Sequence, residues 1–226
     1  SIRRQRQMCI RDRLGSMMKD LIERRLADPT LPMEEAFSQH LKEEELELPA
    51  GQFALFMNSM YAVDAYVRDY FRKAALDALL AEKLPVTVFG EGWEKYSCGD
   101  GHSLRREPAV PFALSFERIA KAHVLLNVSP IFNRGMHDRV PAGMANHAVV
   151  LTDENPYLRR TFTGGKELLF YSLEKPDTLC EQAERALTDV RLREKIAASA
   201  YETFEREYTW KRRAEQILAF AEEVEA

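Results

Sequence analysis

Residues His123–Tyr157 read HVLLNVSPIFNRGMHDRVPAGMANHAVVLTDENPY, and the order of residue types in this stretch decides the fold. An apolar run, Val124–Val128, has the length of a buried strand. A polar loop follows with Asn133, Arg134, Gly135, His137, Asp138 and Arg139, and a helix of small residues then leads to a second apolar run, Ala148–Leu151. Strands that are apolar on both faces and joined through a helix predict parallel pairing, because such strands are covered on both sides. In an open α/β sheet, ligands bind where a loop leaves the C-terminal end of a strand and opens a helix, whose first amides favour anions. The loop Asn133–Arg139 is therefore the candidate site.

The same alternation extends outward in both directions. FALFMN (Phe53–Asn58) suits a first buried strand, Tyr61–Leu84 a helix with an apolar stripe, and Val86–Phe89 a second buried strand announced by Pro85. After the loop GEGWEKYSCGDG come a weak strand near Ser103–Arg106 and a helix over Phe112–Ala122. Beyond Leu151 the pattern predicts a short helix near Pro156, a strand at Leu168–Tyr171, and two or three amphipathic helices to the end. Strands alternating with helices imply parallel pairing and right-handed crossovers. The expected fold class is α/β, with a parallel sheet flanked by helices over residues 51–226. Residues 14–50 read as a helical segment, with Met17, Leu21 and Ile22 on one face, a break at Asp28-Pro29, and a Glu-rich helix ending at Pro49. The run Glu43–Glu45 reads as a solvated face.

The stretch Arg139–Asp153, RVPAGMANHAVVLTD, resembles patterns such as RVFEAMACGAFLLTD and RVLNAMLNGAVVLTD of the CgeB-like (spore maturation) branch of glycosyltransferases. Similarity continues through ENPYLRRTF, GGKELLFYSLE and TWKRRAEQIL, covering roughly Gly51–Ala226. The resemblance implies the Rossmann-like, donor-binding half of a GT-B glycosyltransferase, which takes a nucleotide-diphosphate sugar and passes the sugar to an acceptor held by a separate N-terminal domain. It implies neither metal nor cofactor. Many related enzymes carry a Glu on the helix after the loop, where it binds donor ribose or diphosphate; here the matching position is Ala142, preceded by Pro141. No carboxylate of this chain takes the role of general base, which in the resembled architecture comes from the other half, so the catalytic residues are unassigned.

Arg139 and His137 carry the chemical case. A diphosphate leaving group gains negative charge as the glycosidic bond breaks, and a guanidinium fork with an imidazole aimed at it lowers that barrier. Asn133, Arg134 and Gly135 complete the expected diphosphate loop. The alternative for Arg139 is a surface ion pair with Asp138 or Glu154, and for His137 a solvated position beside the helix start. Asp138 reads either as a helix N-cap or as a catalytic neighbour. Loops carrying Asn58 and Gly90, Gly92 and Trp93 are expected at the same sheet edge, where glycines permit close backbone approach. Trp93 reads as a stacking platform or as a buried aromatic. Val110, in the AVP turn, lies where the resemblance places backbone contacts to the base. Arg68 and Lys73 reach a phosphate only if their helix face turns to the cleft.

A net charge of -4 gives no broad attraction for nucleic acid. No apolar run approaches the roughly 20 residues that span a bilayer, and no signal-peptide pattern is present, so a cytoplasmic location is the expectation. The three cysteines lack zinc spacing, and Cys180 reads as a small buried residue. Residues 1–13, SIRRQRQMCIRDR, resemble translated sequencing adapter and are left out of the fold reading, the alternative being a basic arm; on the first reading the chain is the C-terminal part of a longer protein. GEGWEK lacks the third glycine of a dinucleotide fingerprint, which excludes an NAD site. Two functions stay open: a glycosyltransferase donor domain, and a non-catalytic nucleotide-binding or interaction module of the same fold.

Overall fold

The computed structural model describes residues 2–97, 103–130, 132 and 134–225, with the side chains of 2–12 and 225 excepted. Asn133 and Cys98 thus lie outside the described residues. Two compact units are formed, one from residues 1–73 with 130–133 and the other from 74–129 with 134–226.

The first unit is helical: α1 (Ile2–Ala27), α2 (Met33–Glu43), α3 (Ala50–Ser59) and the opening turns of α4 (Tyr61–Ala81). Asp28 breaks the chain after α1, its Oδ1 accepting from the Thr30 amide (2.9 Å) and hydroxyl (2.7 Å). Leu21, Phe37, Met60 and Val63 form the core, and the Phe37 ring lies 5.2 Å from that of Phe53 and 5.8 Å from that of Phe56. The strand expected at Phe53–Asn58 is therefore corrected to helix α3. Phe53, Phe56 and Met57 share one face at helical spacing, and that face packs on Phe37. A short apolar run does not reveal its period until a partner selects it. Asn58 consequently sits on a helix and not on a loop leaving a strand. Arg24 bridges Asp20 and Glu43, so Glu43 is paired and not simply solvated. Arg68 lies 3.2 Å from Asp64 and over the Tyr61 ring.

The second unit continues with β1 (Val86–Phe89), a 3-10 turn at Trp93–Lys95, β2 (Leu104–Glu107), α5 (Phe112–Ile119), β3 (Val124–Asn127), α6 (Arg139–Ala145), β4 (Val149–Asp153), α7 (Pro156–Thr161), β5 (Leu169–Tyr171), α8 (Pro176–Thr188), α9 (Val190–Glu207) and α10 (Trp210–Glu225). The pairings between these five strands are parallel, as expected. They form a two-stranded sheet, β1-β2, and a three-stranded sheet, β3-β4-β5. In the larger sheet Val124 pairs with Val149 and Leu151 with Leu169. β4 is central and every residue in it is buried, which is why VVLTD reads as an unbroken run and not an alternation.

Val140, Met144, Val150, Leu158, Leu168 and Phe170 form the core beneath α6 and α7. Gly143 lets α6 lie close to the sheet: a Cβ there would fall well inside contact of Val150 Cγ2 and 3.0 Å from Leu125 Cδ2. Helix ends are closed locally. Asp189 accepts from the Leu192 amide (2.9 Å) to cap α9, and Arg193 reaches back to the Ala186 carbonyl (3.0 Å) at the end of α8. Cys180 is half-buried on α8 and not fully enclosed, and burial pushes its thiol pKa up. α10 leaves Trp210, Ile217, Leu218, Phe220 and Val224 in water, with Trp210 90% exposed. No helix among the described residues is long and apolar enough to cross a membrane.

The Gly143 contact yields a direct expectation. Gly143→Ala should destabilise the chain by about 1–3 kcal/mol, since the added methyl meets two packed side chains in a core without slack. A urea titration checks this, and an unchanged midpoint would mean that α6 can shift without cost.

Candidate functional site

Three apolar strands, β3, β4 and β5, end in polar residues at the same edge of the sheet. Asn127, Ser129, Thr152 and Asp153 are all at least nine-tenths buried, as is Tyr171. Polar groups removed from water need partners, and here each supplies another. The Asn127 side-chain amide donates to Thr152 Oγ1 (2.9 Å), Ser129 Oγ donates to Asn127 Oδ1 (3.1 Å), and the Tyr171 hydroxyl donates to the Asn127 carbonyl (3.1 Å). The Ser129 backbone N–H donates to Asp153 Oδ1 at 2.7 Å. This network ties three strands together where the β3–α6 loop departs.

Burial pushes the Asp153 carboxyl up to about 6, against the lowering effect of the Ser129 amide, its own amide and the Arg139 charge. Tyr171 is also raised, by burial first and then by the Asp153 charge. Arg139 acts electrostatically on both groups, so its guanidinium and the network share one electrostatic neighbourhood.

Within the loop, Arg139 Nη2 lies 3.1 Å from His137 Nε2, the Arg139 backbone N–H donates to His137 Nδ1 at 3.2 Å, and His137 Nδ1 is also in contact with Asp138 Oδ1. Guanidinium and backbone amide both donate, and a neutral imidazole accepts at one nitrogen only, so the two Arg139 contacts and the Asp138 contact compete for the ring's two nitrogens. The result is a cluster of carboxylate, imidazole and guanidinium at the start of α6. Asp138 stands at the N-cap of α6 but makes no side-chain capping bond, which corrects the capping reading: its oxygen is engaged by His137. Glu154 is paired with Arg159 (Nε to Oε2, 2.7 Å) and is not the partner proposed for Arg139. α6 has only seven residues, so any anion affinity rests on the Arg139 and His137 side chains and not on a helix dipole. Pro141 is tolerated in its first turn, where the amides have no helical partner. Ala142 is partly buried in the same helix.

Other expected residues are placed differently. Gly90 and Gly92 sit on the two-stranded sheet's loop with φ of 120° and 88°, a region that strains any side chain. Trp93 packs beside Leu76, Leu80 and Val88, and its Nε1 donates to the Phe89 carbonyl at 3.2 Å; it has the surroundings of a structural aromatic. Val110 is half-buried just before Pro111, the N-cap of α5. Arg134 is exposed, and the Gly135 carbonyl accepts from Asn155 Nδ2 at 3.3 Å. Asn58 belongs to the first unit. Asn127, Asp153, Asn155 and Tyr171 were not singled out from the sequence. Their signal was a polar residue closing each apolar run: VLLN, VVLTD, LLFY. Among the described residues no group of three His, Cys, Asp or Glu side chains is arranged to hold a metal ion. An open depression lined by Leu41, Leu46 and Phe53 lies on the first unit and carries no convergent chemistry.

Parallel strands with helices on their faces and a basic loop at their C-terminal edge define a Rossmann-like α/β domain. A glycosyl transferase-like family profile matches residues 68–219, about two thirds of the 226-residue chain. The chain belongs to that family. Among solved structures it is similar to the Anabaena protein Alr3699/HepE in complex with UDP-glucose (TM-score 0.55, 11% identity, covering 68% of this chain and 44% of that one). It is likewise similar to the same protein with UDP and glucose (TM-score 0.56, 12% identity, 66% and 44%). At these identities the likeness is one of fold, that of GT-B glycosyltransferases. The chain spans less than half the length of these solved relatives. No curated protein matches it significantly.

The buried carboxylate gives a pH expectation. Its folded value of about 6 lies above the ordinary 3.8, so its contribution to stability is full below about 3.8 and is lost as pH rises through 6. Asp153→Asn should therefore stabilise the fold at pH 7.5 by up to roughly 3 kcal/mol, with the gain vanishing towards pH 4. Paired denaturation curves across this range check it; a pH-independent difference would place the titration elsewhere.

Proposed function

We propose that the second unit binds the diphosphate of a nucleotide sugar at the β3–α6 loop and serves as the donor half of a metal-independent glycosyltransferase. The observation that carries this reading is the Asp138–His137–Arg139 cluster, set where three parallel strands end. A guanidinium offers two parallel N–H donors to a phosphate, and the imidazole holds it from behind. As the sugar leaves, charge grows on the diphosphate oxygens, and a preoriented cation stabilises that state more than the ground state. The nucleotide-sugar class is carried over from Alr3699/HepE, whose complexes hold UDP-glucose or UDP with glucose. The acceptor and the general base belong to the remainder of a longer protein, and transfer by this chain alone is expected to be poor. The family branch we favour is the CgeB-like one. A cytoplasmic setting and independence from any cofactor besides the donor go with this reading.

A second reading is favoured by Ala142, which stands where the resembled enzymes carry a donor-binding Glu: a nucleotide-binding module that has lost its chemistry. Calorimetry with UDP, GDP, dTDP and their glucose esters bears on both. One diphosphate should bind saturably, and Arg139→Ala should weaken it by about tenfold or more, about 1.4 kcal/mol. Equal binding by the variant would remove the donor site from this loop. Binding without any sugar transfer or donor hydrolysis, once the full-length protein is assembled, would favour the module.

A further inference from the structure

The β3–α6 loop is held from the neighbouring strand end at two points by residues only two positions apart. Asp153, the last residue of β4, accepts from the Ser129 amide at 2.7 Å where the loop begins. Asn155, just beyond β4, donates from Nδ2 to the Gly135 carbonyl at 3.3 Å in the middle of the loop. The same Asn155 side chain caps α7, its Oδ1 accepting from the Leu158 amide at 2.7 Å. Both side chains are almost fully buried, Asp153 at 2% exposure and Asn155 at 6%. Neither bond is needed to complete a sheet or a helix. A neutral apolar residue at 153 would spare the cost of burying a carboxylate, and Asp at 155 would cap α7 equally well.

We propose that Asp153 and Asn155 are positioning residues, a two-point clamp that fixes the β3–α6 loop so that His137 and Arg139 are presented in one arrangement. Its functional meaning rests on the donor-site reading of that loop, whereas the clamp itself does not. The clamp is also sensitive to acid. An ionised carboxylate accepts from an amide more strongly than a protonated one, and burial places the Asp153 transition near 6. The groups facing it are the Arg139 guanidinium from α6, the Tyr171 hydroxyl from β5 and the Ser129 amide after β3. The adjacent Glu154 is turned to Arg159. Acidification through pH 6 therefore loosens the hook at Ser129.

Two conservative variants separate positioning from folding. Asn155→Asp keeps the cap on α7 and removes the donor to Gly135, while Asp153→Asn keeps an oxygen for Ser129 and removes the titration. Amide hydrogen exchange of the intact chain, with amides of α9 as the internal reference, reads the loop directly. Asn155→Asp should leave the Leu158 amide protected and speed exchange at residues 134–140 by about tenfold or more. Asp153→Ala should do the same at Ser129, and Asp153→Asn should restore it. In wild type the Ser129 amide resonance should titrate near pH 6, and in Asp153→Asn it should not. Loop exchange equal to wild type in both Asn155→Asp and Asp153→Ala would overturn the clamp. With UDP-glucose as probe, Asn155→Asp should lower affinity about fivefold or more. If exchange changes and UDP-glucose affinity does not, the clamp stands without a positioning role for the donor and the proposal fails. If wild type binds no nucleotide, the donor reading fails, and the exchange data still decide the clamp.

Discussion

Close contact between α6 and the sheet at Gly143 sets the position of everything ahead of it. With no side chain there, the helix lies against Val150 and Leu125, and its first residue, Arg139, is delivered to the ends of β3 and β4. A bulkier residue would lift the helix and carry Arg139 and His137 away from the network beneath them. Steric fit in an apolar core thus fixes the address of the charged groups. This is how a rigid scaffold makes a loop chemically specific.

The second constraint is polar. A strand buried on both faces has no solvent at its end, so whatever polar groups stand there must satisfy one another. Asn127, Thr152, Ser129 and Tyr171 do so with neutral groups. Asp153 is the exception, a carboxylate in a place where ionisation is disfavoured. Groups with strongly shifted titration collect at functional sites because a fold optimised for stability alone would replace them.

Much of this was legible in the chain itself. The run Val124–Val128, the loop and Ala148–Leu151 gave strand, loop and strand, because strands largely withdrawn from water write themselves as apolar runs bounded by polar residues. Pro85 and Pro156 marked element boundaries through their fixed φ. Phe53–Asn58 was misread because six mostly apolar residues fit either period until Phe37 supplies a partner. Asp138 was misread because capping depends on a side-chain torsion that His137 captures. Asp153 and Asn155 were passed over because each bonds a residue some 20 positions away, and spacing within one element says nothing about such partners. Trp93 and the two glycines looked like ligand chemistry, and packing on Val88 accounts for the ring.

α10 presents its apolar residues to water: Ile217, Leu218, Phe220 and Val224 are each about two thirds exposed. The heat capacity of unfolding arises from apolar surface newly hydrated, about 12–15 cal/mol/K per residue in ordinary domains. Side chains that are hydrated before unfolding contribute nothing to that change. The chain on its own should therefore show a flatter stability curve and a shallower response to denaturant than its 226 residues suggest.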